Sequence, residues 1–330
     1  MSYPYGFYSD PSKLERSDGS ASLLGASSLS EKARVRFAKE GRGTGAWGTY
    51  VPGRTFRELR GVGRMHRFSC SRCGGRQIVL PSDMALATFL DEHWDRQTRD
   101  LREYFPLMDV DETVRVARSI GVRHPTYRDG SPRILTTDLL VFKLESEDHS
   151  WAAVQSVSAR SGESGMSSQN LIVREFWRRA GVPSRAVYSL GLNSFRIRNL
   201  WLLFGHGEQL VAYGLTDREQ YAQEVIIRRL SRGNDSRISD ACGAAARASG
   251  LTRAECARAV LQLIACRAIE CPLDVPILLE QPTGSIRIAS DLQQCVSSFV
   301  ERDSDLRLDD EWAGEQGHSK PTKQSGKRST

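Results

Sequence analysis

Residues 134–157 read ILTTDLLVFKLESEDHSWAAVQSV. The runs ILTTDLLVF and WAAVQSVS are apolar, short and separated by a polar stretch, so each reads as a strand. Asp138 stands where the first run turns apolar. The second run carries Gln155, Ser156 and Val157 in order. Metal-dependent nucleases commonly set an acid on one strand and an acid or amide, any residue, then lysine on the next. Here the acid and the amide are present, and Val157 occupies the place of the lysine.

Working outward, residues 31–205 read as one α/β domain, a mixed sheet flanked by helices. SDMALATFLDEHWDRQTR (82–99) opens with Ser82 or Asp83 as N-cap and places Leu86, Phe89, Leu90 and Trp94 at helical spacing. SQNLIVREFWRRAGV (168–182) is an amphipathic helix stopped at Gly181, RAVYSL (185–190) a further strand, and NSFRIRNLWLLFG (193–205) a last helix.

Residues 206–303 change character. TDREQYAQEVIIRRL (216–230) opens with a capping box from Thr216 to Glu219, and LTRAECARAVLQLIACRAIE (251–270) with one from Thr252 to Glu255. Between them SDACGAAARASG (239–250) is a short helix stopped by Gly250. VPILLEQ (275–281), a Pro-Thr-Gly turn and SIRIAS (285–290) then read as a hairpin. Helix, helix-turn-helix and hairpin is the winged-helix order. Arg253, Arg258 and Arg267 fall on its second helix, where they serve either DNA or a protein partner. Residues 1–30 and 304–330 are too polar to offset chain entropy and are expected to be disordered; the second tail runs acidic (DSDLRLDDEW, 303–312) and then basic (KPTKQSGKR, 320–328).

The net charge of +6 leans toward polyanionic partners. No apolar run approaches the roughly 20 residues that span a bilayer, and the chain does not open on a basic-then-apolar signal, so a cytoplasmic, nucleoid-associated protein without membrane contact is expected. Seven cysteines at irregular spacing do not make a disulfide framework. Cys256 and Cys266 read as small buried thiols. CSRC at 70–73, followed by two glycines, is half of a zinc knuckle, with His66 close before it; a plain hairpin tip is the competing reading.

Several motifs together carry a family resemblance. KEGRGTGAWGTYVP (39–52), GRMHRF (63–68), SDMALATFLDEHW (82–94), DLREYFPL (100–107), GVRHP (121–125), TTDLLVF (136–142), the VQ pair at 154–155 and the FW pair at 176–177 stand in the order and near the spacing of the TnsA endonucleases, over roughly residues 33–205. TnsA proteins are the 5′-strand-cleaving subunits of Tn-seven-like transposases. The resemblance implies a restriction-endonuclease-like domain followed by a winged-helix-like one, Mg²⁺ as the family's cofactor, and as partners transposon-end DNA, a TnsB-like DDE transposase and a TnsC-like AAA+ regulator. It also implies a catalytic set. The family's strand aspartate and glutamine fall on Asp138 and Gln155. Its helix glutamate falls on Ala85, its lysine on Val157, and its second helix glutamate near Val173.

Physical chemistry gives these changes their meaning. Mg²⁺ takes hard oxygen ligands and gives up its water reluctantly. Each lost catalytic group costs on the order of a hundredfold in rate. The expectation is a non-cleaving subunit with no bound metal. Two alternatives stay open: a working endonuclease with displaced ligands, and a winged-helix DNA-binding regulator. Among substitutes, Asp83 points away from Ala85 on the helix, Glu92 lies about 10 Å along its axis, and Lys143 is on the opposite strand face from Asp138.

Overall fold

The structure is a computed structural model and describes residues 28–59, 63–145, 148–157, 166–189, 192–233 and 235–290. The polar tails at 1–27 and 304–330, and residues 291–303 of the expected second domain, lie outside these; residues 28–30 open the first helix. Sixteen regular elements run in the order α1 (Ser28–Lys39), β1 (His66–Ser69), β2 (Gln77–Leu80), α2 (Asp83–Trp94), β3 (Thr98–Leu107), α3 (Val110–Ser119), β4 (Leu135–Glu145), β5 (Asp148–Val157), α4 (Ser168–Arg179), β6 (Ser184–Tyr188), α5 (Ser194–Tyr213), α6 (Asp217–Leu230), α7 (Ile238–Ser249), α8 (Arg253–Ala265), β7 (Ile269–Glu270) and β8 (Arg287–Ile288).

The central sheet has the order β3-β4-β5-β6. The first three strands pair antiparallel, and β6 joins β5 in parallel after the α4 crossover. β4 is central and buried on both faces, which is why LLVF is continuously apolar. Leu139 and Val141 point into a core shared with Phe89 and Leu90 of α2 and Leu200 and Leu203 of α5. Leu140 points into a second core with Trp151 and Ala153 of β5 and Ile172, Val173, Phe176 and Trp177 of α4. The result is a helix–sheet–helix sandwich, the mixed α/β architecture expected.

β3 is the element that the sequence concealed. The expected helix tail at 95–99 ends early, and Thr98 already belongs to β3. Its charges Asp100 and Glu103 are buried. Arg102 holds Asp100 at 2.7 Å and Arg76 of the β2 approach holds Glu103 at 2.6 Å. A strand whose polar residues face inward in ion pairs shows no apolar alternation.

α2 begins as its cap predicts, with the Ser82 hydroxyl accepting the Ala85 N–H at 3.1 Å. α5 runs eight residues past the expected end at 205, so a domain boundary there falls inside one helix. The core of α2, α5 and the sheet continues without a break into Ile226, Ala241, Val260 and Leu263 of α6, α7 and α8.

Both capping boxes, at Thr216 and Thr252, form. α7 and α8 are joined through Gly250, whose φ of 70° suits the left-handed helix end. The expected hairpin of 275–281 with 285–290 is corrected. Residues 278–280 and 283–285 are 3-10 turns, and the strand pairing is instead Ile269↔Ile288 and Glu270↔Arg287. Pro272, Pro276 and Pro282 remove donors along this stretch. No helix among the described residues is long and apolar enough to cross a membrane.

Candidate functional site

Asp138 sits at a fault in the sheet. The β3–β4 ladder pairs Glu103 with Leu139 and Phe105 with Thr137, and passes over Tyr104. Tyr104 takes a left-handed φ of 51°, a conformation that costs a non-glycine residue about 1–3 kcal/mol. Its carbonyl accepts the Gly53 N–H at 2.8 Å. A Cβ at Gly53 would lie 2.5 Å from that oxygen, so only glycine permits the approach. On the other side, the β4–β5 register runs no further than Leu139↔Val154. There the Asp138 carboxylate replaces the ladder and accepts the Ser156 N–H at 2.9 Å.

Beside the fault lies a cavity of about 250 Å³ lined by Arg54, Ala85, Thr88, Tyr104, Asp138 and Ser156 among others. The Ser156 hydroxyl donates to Thr88 Oγ1 at 3.1 Å, and Thr88 donates to the Met84 carbonyl at 3.0 Å. Arg54 lies over the Tyr104 ring at 6.0 Å. Burial raises the Asp138 pKa above the usual carboxylate range, against the lowering influence of the Ser156 N–H and the Arg54 charge. Burial and the Asp138 charge raise Tyr104 strongly.

Of the expected site residues, the structure brings Asp138 and Ala85 to this cavity. The β5 residue that lines it is Ser156, and alternation along the strand carries Gln155 and Val157 to the opposite face. Both are buried, Val157 at 3% exposure. Val173 is fully buried in the α4 core. The substitutes considered from the sequence are engaged elsewhere. Asp83 accepts from His66 at 2.7 Å, and Glu92 pairs with Lys143 at 3.4 Å and with Arg185. Lys143 also holds Asp95 at 2.7 Å.

The donors around Asp138 do not fit a Mg²⁺ ion. The cavity offers one carboxylate, one of whose oxygens is already bonded to an N–H, together with hydroxyls and the Arg54 cation. A hard, strongly hydrated dication needs more anionic oxygen than that. Arg54, Thr88, Tyr104 and Ser156 were not legible as site residues; only a left-handed tyrosine and a broken ladder place them there.

The remaining candidates separate. Arg253 and Arg258 are exposed on α8, the second within 3.9 Å of Glu219. Arg267 is corrected: it follows α8 with a φ of 64° and stacks its guanidinium 3.9 Å from the centre of the Trp94 ring. It joins the C-terminal helices to α2. Cys70 and Cys73 are both fully buried at the β1–β2 hairpin tip. His66 is turned to Asp83 and is not their companion.

No family model matches the chain. The transposon Tn7 transposition protein TnsA of Escherichia coli is 35% identical to it over 158 residues, which are 48% of this chain and 56% of that protein. The chain thus spans about half the length of the curated relative it matches. The motif order from KEGRG to FW, the mixed sheet that carries Asp138 and this identity agree: over that stretch the chain is similar to TnsA.

Proposed function

We propose that this chain is a subunit of a Tn7-like DNA transposition complex whose nuclease-like domain binds DNA and partners without cutting. The observation that carries the reading is the composition of the Asp138 cavity. Ala85 lines it where the family resemblance expects a glutamate, and Val157 is buried away from it where a lysine is expected. Asp138 then acts as a structural acid, closing the end of the β4–β5 ladder through Ser156. Metal-dependent hydrolysis needs a carboxylate set to hold the ion, and the cavity gathers only Asp138, with Arg54 as its cation.

In this reading the partners are transposon-end DNA, a TnsB-like transposase and a TnsC-like ATPase, in a nucleoid-associated bacterial assembly. The paired helices α7 and α8 support a winged-helix-like DNA contact, with Arg253 and Arg258 exposed for phosphates. An element relying on this chain alone would cut only 3′ strands and join by copying. Full-length protein with Mg²⁺ or Mn²⁺, alone and with its transposase, is expected to leave the 5′ strands of end-containing DNA intact. Efficient 5′ nicking that Asp138→Ala abolishes would show a working endonuclease instead.

A further inference from the structure

We propose that Cys70, Cys73, His93 and Glu208 form a zinc site that pins the β1–β2 knuckle to helices α2 and α5. Ligand atoms of Cys70, His93 and Glu208 all lie within 4.8 Å of one another. Among the described residues this is the one cluster of three or more cysteine, histidine and carboxylate donors at such spacing. Cys73 stands beside it in the same turn, its thiol donating to the Leu101 carbonyl at 3.7 Å, and would turn to the ion as the fourth ligand. A tetrahedral zinc ion holds its ligands about 2.0–2.3 Å away, so neighbouring donors sit a little under 4 Å apart. The observed cluster lies within a small adjustment of that.

The local fold delivers these donors for reasons visible in the backbone. Cys70 follows β1, and the chain turns back through a 3-10 turn at 71–73. The Cys73 N–H and the Gly75 N–H both return to the Cys70 carbonyl, at 3.1 and 2.9 Å. Gly74 has a φ of 68° and packs so closely on the 47–49 turn that a Cβ would lie 2.2 Å from the Gly48 nitrogen. This is the C-x-x-C-Gly turn that sets two thiols side by side.

The other two ligands come prepositioned. The His93 ring stacks on Phe89 at 6.0 Å and meets Phe204 edge-on at 5.0 Å, which fixes its plane. Arg72, inside the knuckle, donates to the backbone carbonyls of His93 and Asp95 and fastens the turn to the end of α2. Glu208 accepts the Ser71 N–H on one oxygen and the Ser71 hydroxyl on the other, both at 2.9 Å. Such outer hydrogen bonds are how carboxylate ligands are oriented. Two thiolates and an imidazole beside one hard carboxylate make a donor set that selects zinc over Mg²⁺. With all four positions filled by protein, the site is structural and carries no open coordination position.

The test uses the full-length chain purified without chelator. Elemental analysis is expected to give about one zinc per chain. Cobalt exchanged for zinc is expected to show thiolate-to-cobalt charge transfer and intense tetrahedral ligand-field bands. Cys70→Ser and His93→Gln should each weaken zinc binding at least tenfold in competition with a chromophoric chelator. Cys242→Ser, a buried thiol outside the cluster, should leave it unchanged. If Cys70→Ser does not fold, the cobalt spectrum of the unaltered protein decides. Substoichiometric zinc with no cobalt bands, cobalt bands without thiolate character, or full zinc affinity in a folded Cys70→Ser protein would each overturn the proposal.

Discussion

The Asp138 cavity and the Cys70 cluster lie against the same core, under the same helix α2, and differ in what they gather. At one end of α2, Ala85 faces a single acid. At the other, His93 faces the Cys70 thiol and a glutamate, with Cys73 in the same turn. One helix therefore carries a site whose expected ligands have been replaced and a site whose ligands converge. A structural metal is required by the folding equilibrium itself, whereas a catalytic metal is required by the reaction and adds to stability only through its binding. In the proposed reading, ligands that hold the fold together are kept where alanine and valine stand at the positions of ligands that would serve chemistry.

The comparison can be broken most forcefully at Val157. It is buried on the sheet face away from the cavity, so Val157→Lys places an unpaired ammonium in the core. The expected cost is about 3–5 kcal/mol, read from urea unfolding. A stable Val157→Lys protein that gains nicking would show the side chain reaching the cavity after all. Next in size is the metal. Stripping zinc with a strong chelator should cost about 3–4 kcal/mol of stability, restored by zinc. Addition of Mg²⁺ should move the melting temperature little, since the Asp138 cavity lacks the donors.

Ala85→Glu is a milder probe. The new side chain enters open space, so stability should change by less than about 1 kcal/mol. Calorimetry should then detect Mn²⁺ binding that the unaltered chain lacks. The pH dependence of Asp138→Asn sharpens the same point. A carboxyl whose folded pKa lies above its unfolded value is most favourable to folding below the unfolded pKa and loses that contribution as pH rises through the folded one. Asp138→Asn should therefore gain stability relative to the native chain between pH 4 and pH 8, by differential calorimetry. Smallest of all, Arg253→Ala and Arg258→Ala should each reduce the salt slope of DNA binding by about one. Arg267→Ala should leave that slope alone and cost about 1 kcal/mol through the lost Trp94 stack.

What was legible in the sequence follows from periodicity. β4 and β5 alternate or run apolar because they sit at the centre of the sheet, and α2, α6 and α8 announce their starts with Ser82, Thr216 and Thr252. β3 was hidden by the buried ion pairs of Asp100 and Glu103. The cavity was half legible. Asp138 and Ala85 follow from the resemblance, but no pattern of residue types marks Tyr104 as left-handed. Gln155 and Val157 were placed beside Asp138 by analogy, and the register sends Ser156 there instead. The knuckle was read as half of a zinc site with His66 near it, against a plain hairpin tip. The donors proposed to complete it, His93 and Glu208, sit on helices about twenty and more than a hundred residues further along, a distance that only tertiary packing closes.

α5 has one more consequence. Its first half caps the sheet, while Leu210 in its second half lies in the core shared with the C-terminal helices. Asn199 reaches across to the carbonyls of Leu273 and Val275 at 2.8 Å each. The two halves of the protein therefore cannot be traded between relatives at this joint as independent cassettes. Any torque a partner exerts on the C-terminal helices is transmitted along a rigid rod to the floor of the sheet.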